Sequence, residues 1–172
     1  MENKASAKSI MLNYGLILGL ASVGINVVVY ALGMHYDRDW KVGILGFLVM
    51  VAIIVMGIKK FRGDNDGLLS FGQAVKVGVG IAVISSVISV AYNLVFINFI
   101  EPEYMTNLLN IEKAKWIEMD MPSDQMEMSE KMFNTFSGPA LTSAIGIVAG
   151  AFFGFVISAI AGAIMKRSDQ DA

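Results

Sequence analysis

Apolar residues along this chain fall into four long runs, 10–33, 42–58, 71–99 and 140–165, separated by short polar punctuation and one longer polar segment, 101–136. A helix needs about 20 apolar residues to cross the roughly 30 Å hydrocarbon layer, so each run predicts a spanning helix, the second near the lower limit of length. The first run follows Lys4 and Lys8, as the apolar part of a secretion signal would. It exceeds the roughly 7 to 15 residues of such a segment and is read as an anchor, with cleavage near Ala31-Leu32-Gly33 as the alternative.

The punctuation predicts how the runs connect. His35 to Asp39 is short enough to force an antiparallel return, Asp39 stands where a helix cap is needed, and Tyr30, Tyr36 and Trp40 gather where amphipathic rings favour a membrane interface. Run two ends in Lys59, Lys60 and Arg62, and Gly63-Asp64-Asn65-Asp66-Gly67 follows as a turn. A calcium loop would need an ordered ligand set and a closing glutamate, which that turn lacks. Ser70 is placed to cap the third helix and Glu101-Pro102 to stop it; Lys76, less than two turns inside, is read as reaching back to the interface rather than as a buried functional lysine.

Segment 101–136 carries eight acidic side chains against Lys113, Lys115 and Lys131, a net charge of −5. Met105, Leu108, Leu109, Trp116 and Met119 recur at helical spacing, Met121-Pro122 breaks the pattern, and Ser123 is read as the cap of a second helix with Met126, Ser129, Met132, Phe133 and Phe136 on one side. So short a segment buries no core of its own and is expected to form a two-helix cap. The fold class expected is all-α: a polytopic membrane protein, one membrane domain over 1–172, with four transmembrane helices and an extracytoplasmic cap between the third and fourth.

Placing both termini in the cytoplasm puts Lys4, Lys8, Lys59, Lys60, Arg62, Lys76, Lys166 and Arg167 on the inner side and leaves Arg38, Lys41, Lys113, Lys115 and Lys131 outside, in keeping with the excess of basic residues on cytoplasmic loops. In the fourth run Gly138, Thr142, Gly146, Gly150, Gly154, Ser158 and Gly162 recur every four residues, a ridge that lets another backbone approach closely. Its partner is expected within the chain, either the first helix through Gly15 and Gly19 or the third through Gly78, Ala82 and Ser86; a homodimer seam is the other reading. Asn26, Asn93, Thr142 and Ser143 fall at similar depth, where they serve as interhelical glue or line a small-molecule or ion pocket.

Composition adds exclusions. Hydrophobic residues make up 55% and charged ones 16% of the chain, with a mean hydropathy of +0.61, far from the soluble norm of about 25% charged. A net charge of −2 gives no general attraction to nucleic acid. The chain has no cysteine and one histidine, His35, so thiolate sites and a histidine triad within one chain are excluded. No metal or other cofactor is expected.

The stretch from Lys8 to Gly19, the element Ser70-Phe71-Gly72-Gln73 with Lys76, and the acidic segment before a glycine-rich last helix together resemble domain-of-unknown-function family 4199, small four-span membrane proteins of Bacteroidetes. The resemblance implies a bacterial inner-membrane location with the acidic cap in the periplasm, and supplies no catalytic residues. No clustered nucleophile and base point to an enzyme, so the expected role is a non-enzymatic subunit or regulator acting through helix packing, with the lipid bilayer and a membrane-protein partner or a second copy as its contacts. The alternative is small-molecule, ion or Cu(I) handling, prompted by Met105, Met119, Met121, Met126, Met128 and Met132 in the polar segment, since thioethers suit Cu(I).

Overall fold

A computed structural model describes residues 6–37 and 39–167; Lys4, Arg38 and the tail after Arg167 lie outside them. Among the described residues the fold is all-α: α1 (Ala7–Ala31), α2 (Trp40–Asp64), α3 (Phe71–Val95) continued by a π-helical turn (Phe96–Ile100), α4 (Tyr104–Glu118), α5 (Ser123–Phe136) and α6 (Pro139–Met165). Four of these helices, α1, α2, α3 with its π-helical turn, and α6, are long and apolar enough to cross a membrane, as a polytopic membrane protein requires.

Helix ends explain most departures from the apolar runs. Ser6 caps α1 and Asp39 caps α2 by accepting from the Lys41 N–H at 2.9 Å. The second helix does not stop at Ile58 but continues to Asp64, because Lys60 donates to Asp64 at 2.7 Å one turn on and keeps both charges on the helix surface. Gly33, at φ 70, and Asp120, at φ 50, occupy the left-handed positions that close α1 and α4. Met34 N–H bonds Val29 C=O and Met121 N–H bonds Trp116 C=O, satisfying the last-turn carbonyls. Ser123, expected to cap α5, is instead its first helical residue; Pro122 precedes it without a side-chain cap.

The chain divides into two compact units, residues 1–89 with 147–172, and 90–146. In the first, α1 packs along α2, and α1, α2 and α6 each touch α3. Side chains of Ile84 and Ile88 fill the space left by Gly15 and Gly19 of α1, and Ile81 does the same for Gly57 of α2. Buried side chains of this unit include Leu18, Ile54, Ile58, Leu69, Val77, Ile81 and Ser158. They lie toward the end of the helices that borders the α2–α3 turn: residues 10–19 of α1, 54–61 of α2, 74–85 of α3 and 154–162 of α6.

α3 and α6 meet through small residues on both sides. A Cβ on Gly162 would lie 2.8 Å from Ala74 Cβ; one on Gly154 would run into Ala82 Cβ, one on Gly150 into Ser86 Oγ, and one on Gly78 into Ser158 Cβ. These pairs form one antiparallel register, each four-residue step along α3 matched by a four-residue step back along α6. Leu69 and Arg167 extend it beyond the helices with a pair of backbone bonds, Leu69 N–H to Arg167 C=O at 3.0 Å and Arg167 N–H to Leu69 C=O at 2.9 Å. Small residues on both faces let backbones meet where lipid supplies no hydrophobic drive.

Candidate functional site

Among the described residues, the longest polar segment, 101–136, lies in the second unit. Phe96, buried at the start of the π-helical turn, packs against Tyr92 at 6.0 Å and edge-on against Tyr104 at 5.4 Å between ring centroids. That aromatic stack fixes where α4 leaves α3. The π-helical turn, closed by Glu101 N–H on Phe96 C=O at 2.8 Å, carries an extra residue per turn and ends the helix just before Pro102. Left-handed Asp120 then reverses the chain, and Lys113 pairs with Glu130 at 2.6 Å to hold α4 against α5. Both side chains of that pair are more than a third exposed, so water screens it.

Between the hairpin base and the end of α3 lies an open groove of about 380 Å³. Ile97 and Asn98 of the π-helical turn, Met105, Thr106 and Leu109 of α4, and Phe133 and Asn134 of α5 line it. Its walls combine apolar side chains with amide and hydroxyl groups, a surface suited to an apolar anchor with a few hydrogen bonds. Neither α4 nor α5 contains a buried residue. Among the described residues, no three His, Cys, Asp or Glu side chains gather to hold a metal ion. Of the six methionines considered for Cu(I), Met105 lines the groove, Met121 and Met126 are half-buried, and Met119, Met128 and Met132 are exposed.

Of the polar residues expected at one depth, three bond backbone carbonyls nearby in sequence. Asn26 donates to Ser22 C=O at 2.8 Å, Ser143 to Pro139 C=O at 2.6 Å, and Thr142 to Gly138 C=O at 3.0 Å and to Phe136 C=O at 3.1 Å. Asn93 is half-buried. Of the small-residue ridge, Gly150, Gly154 and Ser158 face α3 as above, whereas a Cβ on Gly146 would meet only Val90 at 3.8 Å. Gly15 and Gly19 also face α3, not α6.

The motif at the start of α3 has a structural role that spacing alone would have disclosed. Gln73 N–H donates to Ser70 Oγ at 3.2 Å while Ser70 N–H donates to Gln73 Oε1 at 2.8 Å, a reciprocal capping box of the Ser-x-x-Gln form. Phe71 packs beside Gly162, Gly72 faces open space, and Lys76 is exposed. Arg62 Nε donates to Gly67 C=O at 3.0 Å and Asn65 Nδ2 to Leu68 C=O at 3.0 Å, so the turn ahead of the box is cross-tied as well.

With this geometry in place, the sequence profile of the family described as protein of unknown function (DUF4199) matches residues 13–167. The chain belongs to the DUF4199 family. The matched region takes in the capping box, the α3–α6 register and the α4–α5 hairpin. No curated protein and no solved structure matches this DUF4199 chain.

Proposed function

We propose that this DUF4199 protein is a non-enzymatic subunit or regulator of the bacterial inner membrane. Both termini are cytoplasmic, and the α4–α5 hairpin is presented outside to a membrane-protein partner. The observation that carries the reading is a contrast in use: α4 and α5 form a defined, cross-tied hairpin around a groove, yet bury none of their own residues. Surface that is shaped but not consumed by the fold is the usual form of a recognition element. The orientation rests on Lys59, Lys60, Arg62, Lys166 and Arg167 gathering at the ends of α2 and α6.

The test is to purify the tagged protein from its native membrane in mild detergent, cross-link it, and identify what is attached to the 18.6 kDa chain. A second protein linked through residues 101–136 supports the reading; a particle containing only this chain, with no cross-link from that segment, overturns it. Because the chain has no cysteine, Asn65→Cys and Lys115→Cys also report orientation through a membrane-impermeant maleimide. In right-side-out vesicles only the second should react.

A small-molecule role is the second reading, favoured by the groove's size and by its mix of apolar, amide and hydroxyl lining. Within it, Cu(I) binding by the hairpin methionines requires stoichiometric uptake that is lost in a Met126→Leu, Met128→Leu double variant.

A further inference from the structure

On α5, the residues grouped by periodicity divide into two sets. Met126, Ser129 and Phe133 are half-buried, while Met132 and Phe136, joined by Met128 from outside that group, form a stripe at i, i+4, i+8 in which Met128, Met132 and Phe136 are 66%, 52% and 53% exposed. Glu127, Glu130 and Asn134 lie on the far side of the helix, and Asp124 stands one turn before Met128, where the stripe ends in a charge. We infer that the Met128-Met132-Phe136 stripe is immersed in the lipid surface of the bilayer that the spans cross, making α5 an in-plane anchor that fixes the height of the hairpin.

Continuity with the spanning helices is what names the occupant. Only Ser137 and Gly138 separate α5 from α6, and Thr142, inside the first turns of that span, donates to Phe136 C=O at 3.1 Å. Phe136 is thus held within about one helical turn, roughly 5 Å, of the start of a helix long and apolar enough to span. Within the same unit, Phe99 at the end of α3 is 81% exposed, and Leu141 and Ile145 of α6 are exposed too. Outward apolar side chains on helices long enough to span are expected to face lipid, and the α5 stripe joins them through the short link to α6. An interfacial helix buries its apolar face about 5–10 Å into the headgroup boundary, a depth that the stripe's position on α5 can meet.

Charge selects the lipid chemistry. The hairpin is acidic, so its attachment depends on apolar area and gains nothing from anionic headgroups. The inference rests on the proposed membrane setting of the hairpin, and it does not require that a protein partner exists.

The experiment uses the full chain in zwitterionic liposomes, with nitroxide labels on the single-cysteine variants Met128→Cys, Met132→Cys and Phe136→Cys and, as controls on the far side of the helix, Glu127→Cys and Asn134→Cys. The expected result is a several-fold higher ratio of oxygen to nickel-complex collisions at the three stripe positions than at the two controls, unchanged when anionic lipid is added. Equal nickel accessibility at all five positions overturns the inference, because α5 then stands in water. Labels shielded from both reagents at the stripe overturn it as well, in favour of a second copy covering the face. Either outcome leaves the cross-linking result for a native partner to be judged separately.

Discussion

The α3–α6 seam and the α4–α5 hairpin solve the same problem, holding two antiparallel helices together, by opposite means. In the seam the contact is made by missing side chains: Gly150, Gly154 and Gly78 leave room only for a neighbour's first carbon or hydroxyl. Nothing there can move without opening a void or a clash, and the buried Ser158 spends its hydroxyl on its own helix, donating to Gly154 C=O at 2.6 Å. The hairpin is held by a solvent-screened ion pair, a left-handed residue and an aromatic hinge, and its surfaces remain open. Packing is thus close in the seam and open in the hairpin, and the proposed presentation of the hairpin draws on that contrast.

The largest effect that would break this contrast is steric. Gly154→Ile must displace either Ala82 or the α3 backbone, whose Gly78 C=O oxygen is 3.4 Å from the new Cβ. Overpacking of this kind costs about 1–3 kcal/mol, and more where backbone must yield, so loss of folded protein from detergent extracts is expected. The matched control is Gly146→Ala on the same face, where only Val90 lies nearby; replacing a helical glycine there should leave thermal stability unchanged or raise it by up to about 1 kcal/mol. Equal losses in the two variants would show that the ridge is not used as the register describes.

The seam also shows what was legible in the sequence and what was not. The four-residue recurrence of small positions on α6 was visible, because a helix returns to the same face about every four residues. Which helix receives it was not, since α1 and α3 both carry small residues in step. The choice is made in three dimensions: α3 turns its Ala74-Gly78-Ala82-Ser86 side to α6 and its Ile84 and Ile88 to Gly15 and Gly19. The spans themselves were readable from the cost of leaving backbone or charge in hydrocarbon, except that α2 runs six residues further than its apolar run because charged side chains at a helix end reach the interface. The π-helical turn and the Leu69–Arg167 pairing have no compositional signal, being set by where two elements meet. The capping box did have one, a serine followed three residues on by glutamine, and only its serine was recognised.

That box predicts the next effect in size. Ser70→Ala removes the acceptor for Gln73 N–H at the point where the seam begins, and a loss of about 1 kcal/mol is expected, seen as a lower unfolding midpoint. Gln73→Ala should cost less and should add little to Ser70→Ala, because both break one reciprocal pair; strictly additive losses would disprove the pairing. Asp120→Gly works in the opposite direction on the hairpin. Relieving a left-handed non-glycine residue should stabilise the α4–α5 turn by up to about 1 kcal/mol, measurable as slower amide exchange in the last turn of α4.

The smallest effect is the one that most sharpens the comparison. Lys113 and Glu130 approach to 2.6 Å, the geometry of a strong pair, yet both are more than a third exposed, and exposed pairs contribute only about 0.2–1 kcal/mol. A double-mutant cycle with Lys113→Met and Glu130→Gln is therefore expected to give a coupling near the lower end of that range, declining further at high salt. A coupling of about 3 kcal/mol would mean that the pair is desolvated when the protein is in its membrane. The hairpin would then be covered rather than presented, since only a protein or lipid surface closing over α4 and α5 could remove the water that screens those two charges.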